Sequence, residues 1–129
     1  MSSSKVLKLM KDKDIEYVDL RFTDPRGKLQ HLTMDATIVD EGMLNDGVFF
    51  DGSSIAGWKA INESDMILKP DLNRQIVDPY TSHNTLILFC DIFDAVKKDP
   101  YERDPRGIAK KAEAYLKKTG VGDKAYFGP

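Results

Sequence analysis

One short segment, from Phe49 to Trp58, gathers most of the side chains in this sequence that could do chemistry. Asp51 offers a carboxylate, Ser53 and Ser54 offer hydroxyls, and the tryptophan, which we expect to be exposed, offers a large flat surface. The glycines between them allow sharp turns and let a ligand approach the backbone closely. The segment therefore predicts a binding or catalytic loop, and a plain turn between two strands is the alternative interpretation.

Two known catalytic motifs come close to this segment without fitting it. Gly52 and Gly57 have the spacing of a phosphate-binding loop, but a tryptophan precedes the lysine and no hydroxyl residue follows it. Ser54 lies in a stretch resembling the nucleophile elbow of a hydrolase, which needs an acid and then a histidine later in the chain. The only later histidine, His83, lies in a polar, turn-like run. Neither motif is therefore indicated.

The composition bounds the class of protein. The 129 residues are 41% hydrophobic and 31% charged, with a formal net charge of −2, which is typical of a soluble globular protein. This charge balance argues against nucleic acid as a partner. The longest apolar run, residues 86–90, is too short to span a membrane, and the N-terminus does not resemble a signal peptide. The sole cysteine, Cys90, is predicted to fill the core, and a reducing, cytoplasmic location is expected.

The first elements that would position the loop are a helix and a hairpin. Serines at 2–4 predict the start of a helix that extends to about Lys13, because apolar residues recur there at helical spacing. Residues 15–23 then alternate, with Asp19 on the solvent side, and residues 28–34 form a second strand after a proline turn. Asp24 and Arg26 at the tip are expected to be solvated charges.

The following residues predict short strands with few helices between them. One helical turn is expected at residues 40–44. Strands are expected at 48–50, at 66–68, where Pro70 ends the strand, at 75–77, and at 85–93. The last is apolar on both faces in its middle, so we place it at the centre of the sheet. This order indicates an α+β fold rather than a doubly wound one.

The composition changes after residue 94. A charged segment with two prolines indicates a linker, so we expect one domain over residues 1–98 and the start of another over residues 99–129. Asp104 caps a predicted helix that Gly120 ends, and the helix carries an apolar stripe made of Ile108, Ala112, Tyr115 and Leu116. A strand beginning at residues 125–127 is expected to be cut short, so that the chain ends just inside the second domain.

Several segments in order resemble bacterial glutamine synthetase. The match with its N-terminal signature covers residues 50–58 and continues through Ile61-Asn62-Glu63-Ser64-Asp65-Met66 and Lys69-Pro70-Asp71. Residues 18–24 look like the first strand of that family, and residues 104–113 look like the opening of its catalytic domain. The resemblance covers nearly the whole chain. It implies a β-grasp fold with a leading helix, a mixed sheet and a truncated beginning of the catalytic domain.

The resemblance also implies an activity. The family ligates ammonia to glutamate through γ-glutamyl phosphate, using ATP and divalent Mg²⁺ or Mn²⁺. Its subunits form rings, a dodecamer by resemblance, in which the N-terminal domain of one subunit closes the active site of its neighbour. By resemblance, Asp51 binds ammonium and removes its proton, Ser54 assists in the ammonium site, and Trp58 forms a wall of the site or supports the structure. A carboxylate suits both tasks, because it attracts a cation and accepts a proton.

The metal ligands, the nucleotide site and the glutamate site of the family lie beyond the matched segment. His31 and His83 each stand without a second ligand at coordinating spacing, so no metal site is expected in this chain, and the chain alone is expected to be inactive. The alternative function is a β-grasp interaction module that binds a partner through its sheet. The dense loop at Asp51 favours the enzyme, because an adaptor has no need of it.

Overall fold

A computed structural model describes residues 1–58 and 65–128. Residues 59–64, which carry part of the resemblance, and Pro129 lie outside the described residues. The helices and strands are α1 (Ser3–Asp12), β1 (Tyr17–Thr23), β2 (Leu29–Asp35), α2 (Glu41–Asp46), β3 (Val48–Asp51), β4 (Asp65–Val77), β5 (Thr85–Asp94) and α3 (Pro105–Thr119), with 3-10 turns at Ala36–Ile38 and Gly52–Ser54. No helix in the described ranges has the length and apolar character needed to cross a membrane.

The strands form one mixed sheet in the order β2-β1-β5-β4-β3. β1 and β5 run parallel, and the other neighbouring pairs are antiparallel. The predicted hairpin of β1 and β2 is confirmed, and so is the central place of β5. The fold is α+β, as expected, because a single sheet carries its helices outside a repeating β-α-β pattern.

The core lies between one face of the sheet and the two N-terminal helices. The even-numbered side chains of the strands point to this face because successive residues of a strand alternate. The buried ones include Val18, Leu20, Phe22, Met66, Leu68, Leu86, Leu88, Cys90 and Ile92. The helices cover this face with Val6 and Met10 of α1 and Leu44 of α2. Cys90 is buried, as predicted, and burial raises the pKa of its thiol, which keeps it protonated.

The two short strands predicted at 66–68 and 75–77 are parts of one strand, and the prediction that Pro70 ends the first was wrong. Pro70 pairs with Cys90 inside β4, and the register shifts between Pro70 and Gln75. β3 pairs with β4 only as far as Leu68, so the next part of β4 has one open edge. Proline is tolerated on an open edge, where a missing N–H breaks no ladder bond.

Asp24 is not the solvated charge that its place in the turn predicts. Its side chain is only 4% exposed. Its Oδ1 accepts the backbone N–H groups of Arg26 and Lys28, both at 2.9 Å, and its Oδ2 accepts Gln30 Nε2 at 3.0 Å. The bond from Gln30, together with the two backbone bonds, lowers the pKa of Asp24. The carboxylate therefore organises the hairpin tip from inside, whereas Arg26 is exposed as expected.

α3 is formed as predicted, but its apolar stripe is largely uncovered. Its N-cap is Asp104, and Gly120 ends it in the left-handed conformation. Ile108 and Tyr115 are exposed, the latter by 68%. The strand predicted at residues 125–127 is not formed, since residues 120–128 contain neither helix nor strand. A strand needs a neighbour to satisfy its backbone groups, and these residues have none within the described chain.

Gly47 is the sharpest steric constraint on the strand that leads to Asp51. Its φ of +90° and ψ of −173° belong to a region that essentially only glycine adopts. A Cβ at this position would lie 2.5 Å from the Leu68 carbonyl oxygen and 2.6 Å from Ile67 Cγ2. We expect Gly47→Ala to lower the free energy of unfolding by about 3 kcal/mol, from backbone strain and overpacking together.

Gly27→Ala is the matched control, because Gly27 has a similar φ of +83° and no atom within 4 Å of the added methyl group. It should cost about 1 to 2 kcal/mol, the cost of the left-handed backbone alone. Urea unfolding followed by circular dichroism measures both variants. An equal decrease in the free energy of unfolding for the two variants would contradict the close approach of residue 47 to β4.

Candidate functional site

The loop from Asp51 to Trp58 starts at the end of an edge strand. Within the described part of the chain, β3 pairs with β4 alone, and its last pair joins Asp51 with Asp65. The chain then turns into the 3-10 turn, where Asp51 Oδ1 accepts the backbone N–H of Ser53 at 2.9 Å and its hydroxyl at 2.6 Å. Asp51 is thus both the last strand residue and the N-cap of the turn. Its carboxylate and Ser54 are both exposed at the surface of this turn.

Trp58 lies at the other end of the loop and is buried, so the prediction of an exposed tryptophan was wrong. The side chain is 6% exposed. Its ring stacks on Phe22 at a centroid distance of 5.7 Å and meets the edges of Phe50 and Tyr101 at 6.1 and 5.8 Å. Each such aromatic pair contributes about 0.5 to 1.5 kcal/mol beyond burial. Trp58 therefore anchors the loop in the core.

The segment after β5 closes over this anchor. β1 pairs with β5 only as far as Phe89, so the backbone of Ile92 needs other partners on that side. Tyr101 N–H donates to the Ile92 carbonyl at 2.8 Å, and Ile92 N–H donates to Asp104 Oδ2 at 3.1 Å. Between these two attachments, Arg103 Nη1 donates to the Gly57 carbonyl at 3.1 Å. The end of the loop is therefore tied to a segment more than 40 residues away.

The tip of the β1–β2 hairpin lies next to the same end of the loop. A Cβ at Gly57 would lie 3.8 Å from the Pro25 side chain, and Gly57 has a φ of +90°. Because Asp24 fixes the turn that carries Pro25, the hairpin tip is a firm neighbour for the loop. The loop is thus bordered by its own strand, the hairpin tip and the segment of Arg103.

Charged groups fasten the beginning of α3 to the sheet. The Asp104 carboxylate, 2% exposed, accepts Arg106 N–H at 3.0 Å in addition to Ile92 N–H. Burial raises the pKa of Asp104, although these backbone bonds act in the opposite direction. The Arg106 side chain bonds both Asp91, at 2.8 Å, and Asp71, and Lys110 also reaches Asp91. These contacts hold α3 in place although its apolar stripe is exposed.

A second concave surface lies on the opposite, odd-numbered face of the sheet and has a volume of about 440 Å³. Asp19 lies here and is 4% exposed, which corrects its predicted place on the solvent side. It accepts Arg21 Nε at 2.6 Å and Thr33 Oγ1 at 2.8 Å, and it pairs with His31 Nδ1 at 2.8 Å. Burial alone would raise the pKa of Asp19, but the bonds from Arg21, His31 and Thr33 outweigh it and lower that pKa. These polar side chains of the groove are therefore hydrogen-bonded to one another through Asp19.

The structure brings two of the three predicted site residues together. Asp51 and Ser54 share one exposed 3-10 turn, whereas Trp58 lies behind it in the aromatic cluster. Sequence reasoning missed Arg103 and Tyr101, because no local pattern connects them with the loop. It also missed the inward side chain of Asp24, for which the aspartate-proline turn was a usable signal, since aspartate often bonds the backbone of its own turn.

Within residues 1–58 and 65–128, no group of three or more His, Cys, Asp or Glu side chains is arranged to hold a metal ion. His31 pairs with Asp19, and His83 pairs with Glu16 at 2.7 Å. The chemical groups offered by the loop are a carboxylate and hydroxyls at the surface. This set suits a small cation or a proton transfer.

The chain is similar in sequence and in structure to known glutamine synthetases. A family model described as the β-grasp domain of glutamine synthetase matches residues 14–95. The chain is 59% identical over 128 residues to the glutamine synthetase of Rhizobium meliloti and equally to that of Azorhizobium caulinodans, covering 99% of this chain and 27% of each relative. A cryo-EM structure of Plasmodium falciparum glutamine synthetase matches 96% of this chain and 24% of its own with a TM-score of 0.84 and 27% identity.

The chain thus spans about 27% of the length of the curated relatives that it matches. These matches set aside the alternative of a separate β-grasp interaction module, since the same residues occur as part of glutamine synthetases. They confirm the resemblance seen in the sequence and the β-grasp fold. The chain belongs to the glutamine synthetase family, and residues 14–95 are a glutamine synthetase β-grasp domain.

Proposed function

We propose that this chain is the N-terminal part of a glutamate–ammonia ligase, which forms glutamine from glutamate, ammonia and ATP. The observation that carries the proposal is the 59% identity with glutamine synthetase over 99% of the chain. We assign residues 1–98 to the N-terminal domain and residues 99–129 to the linker and the beginning of the catalytic domain. The Phe49–Trp58 segment, which contains the candidate groups, lies inside the first unit.

In this proposal the exposed turn supplies the ammonium side of the active site. The Asp51 carboxylate attracts ammonium by its charge and then accepts a proton, so that neutral ammonia attacks the acyl phosphate. Ser54, on the same exposed turn, provides a hydroxyl that accepts a hydrogen bond from ammonium. Trp58 serves the site from behind, as the buried base on which the loop rests. The support for these roles is the exposure of Asp51 and Ser54 and the burial of Trp58.

ATP and divalent Mg²⁺ or Mn²⁺ belong to the proposed reaction, where the metal neutralises phosphate charge. The described residues of this chain do not fit a metal site, so both groups would be held by other parts of the longer protein. We further propose a homo-oligomeric ring, a dodecamer, in which this domain faces the catalytic part of a neighbouring subunit. A cytoplasmic location goes with this proposal.

The experiment is an assay of glutamine formation by the longer protein. We expect product that depends on glutamate, ammonium, ATP and a divalent cation. The 129-residue chain alone should form no glutamine and should show no heat of ATP binding in calorimetry with Mg²⁺. The glutamine synthetase of Rhizobium meliloti serves as the positive control.

Two results would overturn the proposal. The first is a folded longer protein that forms no glutamine under conditions in which the control enzyme does. The second is an affinity of about micromolar for ATP in the 129-residue chain, which would place a nucleotide site where the proposal has none.

A further inference from the structure

We propose that Arg103 is a positioning residue for the Asp51–Trp58 loop, acting as a clamp on its C-terminal end. The inference rests on the proposed function for its catalytic consequence, but the clamp itself concerns only this chain. Arg103 Nη1 donates to the Gly57 carbonyl at 3.1 Å and approaches the Trp58 carbonyl at 3.5 Å. One guanidinium therefore reaches the last two carbonyl groups of the loop.

The two ends of the loop are held by different means. The N-terminal end continues β3, so the ladder with β4 fixes Asp51. The C-terminal end has left the sheet, and the main-chain N–H of Trp58 makes a local bond, to the Ile55 carbonyl at 3.2 Å. The direction of the chain at Gly57 is unusual, with φ +90°. Among the described residues, this end is held by the aromatic packing of Trp58 and by the bonds from Arg103.

The backbone of Arg103 is fixed before its side chain reaches the loop. Tyr101, two residues earlier, donates its N–H to the Ile92 carbonyl, and Asp104, the next residue, accepts the Ile92 N–H. Asp104 N–H also donates to the Tyr101 carbonyl at 3.2 Å, which closes a tight turn around Arg103. Because both sides of Arg103 are attached to one residue of the central strand, the backbone from which the guanidinium reaches the loop is held in place.

The chemistry of the contact favours arginine. Both contacts come from Nη1, whose two N–H donors are held in the plane of the guanidinium, whereas an ammonium is a single point on a flexible stem. A bond from a charged donor to a neutral carbonyl is stronger than a bond between neutral groups. Lysine should therefore preserve only part of the clamp, and alanine none of it.

The first test uses the 129-residue chain and its only tryptophan, Trp58. We expect Arg103→Ala to shift the Trp58 emission to longer wavelength and to increase its quenching by acrylamide, because the loop end loosens. Arg103→Lys should lie between this variant and the parent. Arg74→Ala is the matched control, since Arg74 is exposed and has no side-chain bond among the described residues, and it should leave the emission unchanged. Far-UV circular dichroism confirms that each variant is folded.

The second test uses the longer protein and its ammonium kinetics. We expect Arg103→Ala to raise KM for ammonium by about ten-fold or more, the scale of one lost hydrogen bond from a charged group. The KM for ATP should stay unchanged, and Arg103→Lys should recover part of the loss. A structural role alone would lower the amount of active enzyme without changing KM for ammonium.

The outcomes separate the clamp from the function. Unchanged Trp58 emission in folded Arg103→Ala overturns the clamp. A shifted emission together with unchanged ammonium kinetics in an active enzyme overturns the positioning role. A shifted emission with a wild-type longer protein that forms no glutamine supports the clamp and contradicts the proposed function instead.

Discussion

Replacing Asp51 by asparagine in the longer protein is expected to lower the rate of glutamine formation by about two orders of magnitude or more, the scale of a positioned general base. Asparagine keeps the size of the side chain, and its Oδ1 can still accept the backbone N–H of Ser53, so the 3-10 turn should persist. The charge that attracts ammonium and the basicity that removes its proton are both lost. The loss should thus appear in catalysis rather than in folding.

Steady-state kinetics with varied ammonium measure this effect. KM for ammonium should rise and kcat should fall, whereas ATP affinity should hardly change, because nothing in the described loop is assigned to the nucleotide. Asp12→Asn, at the exposed C-terminal end of α1, is the matched control and should retain the wild-type rate. Unchanged kinetics in Asp51→Asn would show that Asp51 only stabilises the turn and takes no part in catalysis.

The sequence predicts a strand well where the pattern of apolar residues reflects burial in the core alone. The alternation in residues 15–23 indicates β1 because one face of the strand is buried by the helices, and the apolar run around Cys90 indicates β5 because this strand is central. The alternation does not reveal that Asp19 is buried on the opposite face. Its partners, His31 and Thr33, come from the neighbouring strand, and only the register of β1 and β2 brings them together.

Proline and tryptophan were harder to interpret from the sequence. Pro70 is a strand breaker in isolation, but the end of β3 leaves an open edge that accepts it. Trp58 lies among small polar residues, which suggests exposure, yet Phe22 and Tyr101, both distant in the sequence, surround it together with Phe50 of its own segment. Both outcomes depend on tertiary contacts that no local window contains.

The candidate site shows the same division. Asp51, Ser54 and the turn that carries them are local, so the sequence predicts them. The clamp from Arg103 is not local, because it requires the segment after β5 to return to Ile92 and then to Gly57. The apolar stripe of α3 is likewise a local feature that the sequence predicts, while the ion pairs that hold this helix come from strand residues 15 or more positions away.

In the proposed ring, the Asp51 loop completes the active site of a neighbouring subunit. Two inactive parents of the longer protein test it: one carries Asp51→Asn, and the other carries an intact loop with an inactivated metal site in its catalytic part. If the loop served its own subunit, every subunit in a mixed ring would still contain one defect. If it serves a neighbour, some interfaces join an intact loop to an intact metal site.

The most direct measurement is therefore the activity of mixed rings assembled from equal amounts of the two parents, with co-assembly confirmed by native mass spectrometry. We expect about one quarter of the wild-type activity, since random arrangement makes about one quarter of the interfaces productive. The expected activity should rise and fall with the product of the two subunit fractions. Mixed rings that remain as inactive as either parent would show that the Asp51 loop does not complete the active site of a neighbouring subunit.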